Sequence, residues 1–247
     1  MSGGRRIGWA LARWSAMPAG LATVCLVLYR AIQRRDLDSI ERRALDSDQI
    51  RQRVVEHLEL TVLSTLIVVL VAFPLGVLVT RHWARPLRPV VLGLGNIGLA
   101  VPSIGVLVLF AMAFGIGFRY AVAALVAYSA LPVLRNVVVG LEQVDPALVE
   151  AGRGMGLSNL GVLQRVELPL AVPVILAGVR TALTFNVGSA ALAALVNAGG
   201  LGVLIDQGIR LNRHSVLVTG SVLTAVLALL VDWMGQVLEA VLRPRGL

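Results

Sequence analysis

Six long apolar runs divide this 247-residue chain: Ser15–Ile32, His57–Thr80, Pro89–Gly117, Tyr120–Leu141, Leu170–Ala194 and Ser215–Leu242. A bilayer core about 30 Å thick needs roughly 20 apolar residues in one helix, and backbone inside lipid has to satisfy its own hydrogen bonds. The expected fold class is therefore all-α: a polytopic membrane protein with about six transmembrane helices and no β structure. A mean hydropathy of +0.83 and 57% hydrophobic residues agree, since both exceed what a soluble domain carries. The first run is short and flanked by arginines, but no small-residue cleavage site follows it, so it reads as a retained helix rather than a signal peptide. Pro74 and Pro132 mark bends inside the second and fourth runs. The third is longer than one crossing needs and holds Pro102-Ser103 near its middle, which predicts a sharp bend or a broken turn.

Charge excludes some functions and orients the rest. All 22 basic residues are arginine, and a phosphate-cradling P-loop needs a Gly-Lys-Ser/Thr, so ATP chemistry would have to reside in another subunit. The net charge of +8 reads as loops facing anionic lipid rather than as a nucleic-acid surface. The lone Cys25 cannot form an intrachain disulfide. With the N-terminus inside, Arg5, Arg6, Arg13, Arg81, Arg85, Arg88, Arg243 and Arg245 all fall in the cytoplasm, as the positive-inside rule asks. One segment objects: Tyr29–Glu56 then lies outside with seven arginines, interleaved with six acids.

A polar stretch, Asp145–Pro169, interrupts the apolar pattern. Asp145 before Pro146 is a helix start, a capping carboxylate followed by proline at the first helical position. About two turns follow; Gly152, Gly154 and Gly156 are expected to end them and reverse the chain. Ser158 then caps a second short helix through Val166, and Pro169 opens the next span. The product is a compact knob at the membrane face.

Polar groups inside the spans are few. Arg180 and Asp232 each lie roughly 15 Å from the same face at 1.5 Å per residue, so they are expected to face each other or a common polar cavity. A salt bridge and a role in transport both remain open. Asn96, Thr181, Thr184 and Asn186 either line a path or hold helices together. Phe110, Phe114, Tyr128 and Phe185 are the aromatics well inside spans. Gly178 and Gly188 allow close helix approach, as at a dimer interface. Asn197–Gly202 reads as an external turn or re-entrant segment, with Gly199, Gly200 and Gly202 as gate or turn. No metal-ligand cluster and no nucleophile beside a base is visible; His57, His82 and His214 all sit near span ends.

Glu150-Ala151-Gly152, then Gly156, then Val166-Glu167-Leu168-Pro169 has a spacing similar to the "EAA" loop of type I, binding-protein-dependent ABC-importer permeases, with Gly152 where alanine is usual. The resemblance extends over about residues 57–242. His57-Leu58-Glu59-Leu60-Thr61, Pro74-Leu75-Gly76, Val101-Pro102-Ser103, Leu131-Pro132-Val133-Leu134-Arg135-Asn136, Val179-Arg180-Thr181 and Gly199-Gly200-Leu201-Gly202 resemble the glycine betaine, carnitine and choline permeases. The resemblance implies a division into 1–56 (first transmembrane helix and polar loop), 57–242 (transporter domain with coupling loop 145–169) and 243–247 (cytoplasmic tail). It implies that Glu150, Ala151, Gly152, Gly156, Leu168 and Pro169 serve coupling to an ATPase, which binds ATP and Mg, and that this chain carries no cofactor of its own. The implied partners are ABC ATPase subunits, an extracytoplasmic solute-binding protein, a second permease copy or paralogue, and membrane lipid, with no nucleic acid. The implied location is the bacterial inner membrane, with both termini cytoplasmic. A methionine or other small-solute importer is the alternative within the class; an ATPase-independent channel or ion-coupled carrier is the alternative outside it.

Overall fold

The computed structural model describes residues 3–242, with side chains from residue 15 to 241. The arginine side chains at positions 5, 6 and 13, and the tail from Arg243, lie outside the described residues. Among these residues the chain is helical and has no strand. Five helices are long and apolar enough to cross a membrane singly: α1 (Gly3–Gln33, apolar from Ser15), α3 (Ser47–Thr80), α6 (Phe118–Glu142), a helix over Asn159–Ala190, and α11 (His214–Leu242). A sixth crossing exists only as a pair, α4 (Arg88–Ala100) and α5 (Ser103–Phe114), bent by 100°. The proline accounts for the break. Pro102 pushes Val101 out of the helical region, to φ −78°, ψ 133°, because its ring clashes with a helical predecessor.

α6 is the most enclosed of these helices, with Leu125, Leu131, Val133 and Val137 all at most 2% exposed. It packs on α3, on the helix that follows the knob, and on α4 and α5. Small residues let it come close. A Cβ on Gly76 of α3 would lie 2.7 Å from Val137. One on Gly178 would lie 2.5 Å from Asn136, so this glycine is spent within the chain and not on an outer face. Gly188, by contrast, is exposed with open space around it.

The bundle has two polar ends. One carries Thr80–Arg88 and Glu142–Glu167. The other carries residues 34–56, the Gly115–Gly117 turn and residues 191–214, and Gly117 N–H donates to Val196 O there at 2.8 Å.

Two expectations are corrected, and one further element is added. Residues 34–56 are not a plain polar loop. They hold α2 (Ser39–Ala44), started by a capping box between Asp38 and Glu41, and the first turns of α3, capped by Asp46. A short helix, α10 (Gly202–Arg210), intervenes before the last span. The segment after the knob is one helix rather than two. α8 (Asn159–Val162) runs through a π turn (Leu163–Glu167) into α9 (Leu168–Ala190). Proline again explains it: Pro169 has no N–H for the carbonyl four residues back, and the Leu168 N–H reaches back five residues to Leu163 O instead.

Candidate functional site

The knob is built around α7 (Pro146–Gly154). Asp145 accepts from Ala147 N–H at 2.9 Å and Pro146 occupies the first turn, as the residue types demand. The helix does not stop at Gly152. It continues to Gly154, and the reversal falls at Gly156, whose φ of +85° suits glycine alone. Gly152 is instead the buried face of α7, with Val162 and Val166 beneath it. Ser158 caps the return, its hydroxyl accepting from Gly161 N–H at 3.2 Å. The other side of the knob faces outward: Glu150 and Ala151 are exposed, and Leu148, Met155 and Leu160 are exposed apolar side chains. Leu168 is half-buried and Pro169 exposed, at the root.

Two ion pairs tie that root to neighbouring helices. Arg81, at the end of α3, lies 2.8 Å from the buried Glu167, and Arg88 pairs with Glu142. These contacts join the two flanks of the knob to the ends of α3, α4 and α6.

Within the bundle, Arg180 of α9 lies 3.6 Å from Asp232 of α11 and, closer still, 3.0 Å from Glu239. Gly235 makes room: a Cβ there would lie 2.8 Å from Arg180 Cγ. Gln236 donates to the second Asp232 oxygen at 2.7 Å. The remaining candidates do not converge on this group. Asn96 of α4 accepts from Arg135 of α6 at 3.0 Å. Asn186 is fully buried between α9 and α3, its amide donating to Thr65 Oγ1 at 2.9 Å while its carbonyl oxygen has no partner among the described residues. Thr181 and Thr184 donate to carbonyls of their own helix. Tyr128 and Phe185 meet at 5.9 Å with their planes tilted by 37°, and Phe110 and Phe114 at 5.5 Å tilted by 52°, so the aromatics pack in two pairs.

At the end away from the knob, Asn197 is left-handed and Gly199 and Gly200 have φ of +84° and +85°. Glu56 and His57 of α3 hold this turn. Glu56 Oε2 accepts from Gly200 N–H at 2.9 Å. His57 is fully buried; its Nε2 meets Val187 O at 3.0 Å and its Nδ1 meets Leu201 N–H at 3.3 Å. A carbonyl only accepts and an N–H only donates, so the ring is the neutral Nε2–H tautomer. Gly202 is indispensable for packing: a Cβ would lie 1.8 Å from Ala191 O. Sequence reasoning missed Glu56, His57 and Glu239. Glu239 carried a legible signal, because residues seven apart on a helix share a face; the partners of Glu56 and His57 lie some 130 to 144 positions away.

A family model described as "binding-protein-dependent transport system inner membrane component" matches residues 72–244. The osmoprotectant import permease protein OsmW of Salmonella typhimurium is 37% identical, over 85% of this chain and all of its own length. The choline transport system permease protein OpuBB of Bacillus subtilis is 36% identical over 81% of this chain and 91% of its own. Among solved structures, the inward-facing MetNI methionine ABC transporter superposes with a TM-score of 0.69 at 27% identity, covering 79% of this chain and 96% of that one. An amino acid ABC transporter gives a TM-score of 0.68 at 19% identity, covering 83% and 99%, which speaks for the fold alone.

Proposed function

The chain belongs to the family of binding-protein-dependent transport system inner membrane components, and on that premise we propose that it is the membrane-spanning subunit of an ATP-driven importer for a small quaternary-amine osmoprotectant. The solute class rests on relatives whose names specify osmoprotectant, choline, or glycine betaine and carnitine transport. The mechanism rests on the knob. α7 and the residue that ends it present Glu150, Ala151 and the apolar Leu148 and Met155 outward, over a buried Gly152 and a root pinned by Arg81–Glu167. Such an amphipathic, rigidly rooted helix fits a groove on a separate ATPase, which binds ATP and Mg. The knob end then faces the cytoplasm and the Gly199–Gly202 end faces outward, toward a solute-binding protein. A second copy or a paralogue completes the path, and closure of the ATPases rocks a bistable helix bundle.

Uptake into cells expressing the chain with its ATPase and binding protein tests the reading. Labelled glycine betaine is expected to accumulate, with unlabelled choline competing and methionine not. Accumulation of methionine instead would replace the solute class, and uptake that persists after ATP depletion would replace the importer.

A further inference from the structure

A cavity of about 580 Å³ opens between α2, the start of α3 and α10; Ser39, Arg43, Gln49, Arg53 and Gln207 form its polar lining, beside apolar side chains such as Ile40 and Leu204. It belongs to the end opposite the knob. α3 runs unbroken from Ser47 beside this cavity to Thr80 beside Glu167, and its 34 residues span about 50 Å. Four of the nearby acids are already engaged. Asp38 caps α2 and pairs with Arg213 at 2.8 Å, Glu41 completes the capping box, Asp46 caps α3, and Asp206 pairs with Arg210 at 2.7 Å. Arg43 is exposed and forms no ion pair among the described residues.

We propose that this cavity receives an acidic side chain of the extracytoplasmic binding protein, and that Arg53 and Glu56 relay its arrival to the Gly199-Gly200 turn. The proposal rests on the importer reading above and names where its partner docks. Two guanidinium groups among the amides of Gln49 and Gln207 suit a carboxylate, which takes paired N–H donors from an arginine fork. They repel a free quaternary ammonium solute, so the cavity is a contact for protein and not a cargo site. The relay is short. Arg53 Nη1 lies 2.8 Å from Glu56 Oε2, and that same oxygen accepts from Gly200 N–H at 2.9 Å. A carboxylate entering beside Arg53 competes with Glu56 for it, leaving Glu56 held by the turn and by Gln52, 2.9 Å from its other oxygen. His57, the next residue, connects the same turn to α9 through Val187 O. α10, which follows the turn, lines the cavity itself through Gln207.

The test is a titration of purified, solute-loaded binding protein against the complete permease–ATPase complex in vesicles. Arg43→Ala is expected to raise the concentration for half-maximal uptake about tenfold, and Arg43→Glu further. Arg43→Lys, which keeps the charge and loses the fork, should fall between. ATP hydrolysis without binding protein should be unchanged in all three. Added salt should weaken the wild-type titration more than that of Arg43→Ala. Titrations of Arg43→Ala and Arg43→Glu that superimpose on wild type overturn the proposal. So does a shift seen in anionic vesicles and absent from neutral ones, which assigns the cavity to a lipid headgroup. A wild-type complex that takes up no solute at saturating binding protein overturns the importer reading instead.

Discussion

A methyl group added at Gly152 would lie 3.4 Å from Val166 and 3.5 Å from Val162. These are ordinary contact distances, inside a helix where alanine is favoured over glycine by about 1 kcal/mol. Gly152→Ala is therefore expected to raise the melting temperature of the purified complex and leave uptake intact; a lower melting temperature would show that α7 needs the glycine for something beyond packing. Gly202 is the opposite case. With Ala191 O only 1.8 Å from the added carbon, Gly202→Ala should cost about 3 kcal/mol or more, visible as loss of folded protein in detergent. His57→Ala strands a Leu201 N–H and a Val187 carbonyl away from water, an expected loss of about 2–4 kcal/mol, read by the same melt. Sequence spacing marked Gly152, Gly154 and Gly156 alike as turn residues, yet it could not separate Gly156, whose backbone is left-handed, from Gly152, whose neighbours come from the returning helix.

At the scale of elements, α9 and α11 share one arginine between two carboxylates. Asp232→Asn leaves Arg180 with Glu239, and Glu239→Gln leaves it with Asp232. Each single change should be mild, while the double change exceeds their sum by about 1–2 kcal/mol, the coupling expected of groups in one network. Additive melting-temperature losses would show that the two carboxylates act independently. Much of this architecture was legible. Hydropathy marked every long helix, Asp145-Pro146 and Ser158 marked the starts of α7 and α8, and Pro102 marked the break between α4 and α5. The misses have physical causes. α2 lay in an arginine-rich segment whose charge suggested a solvated loop, although Asp38 and Glu41 spell a capping box. The π turn before Pro169 depends on Leu168 reaching one residue further back than an α-helix does, which composition does not display.

Across the whole molecule, α3 reaches both polar ends and makes side-chain contacts at each. Glu56 and His57 hold the Gly199-Gly200 turn near its start, and Arg81 grips Glu167 at its finish. Tertiary contacts of this reach were the part the sequence left unread: the apolar pattern places a span in the bilayer without saying which helix it touches. The measurement closest to the central claim follows ATP hydrolysis and glycine betaine uptake together, in vesicles holding the permease, its ATPase and saturating binding protein, for wild type and Glu150→Arg. Glu150 is exposed on α7, so its replacement should spare folding. Uptake is expected to fall at least about tenfold, the effect of removing a contact of about 1.4 kcal/mol, while the melting temperature of the permease is unchanged. Glu150→Arg vesicles that match wild type in both uptake and stimulated hydrolysis would contradict coupling through this helix.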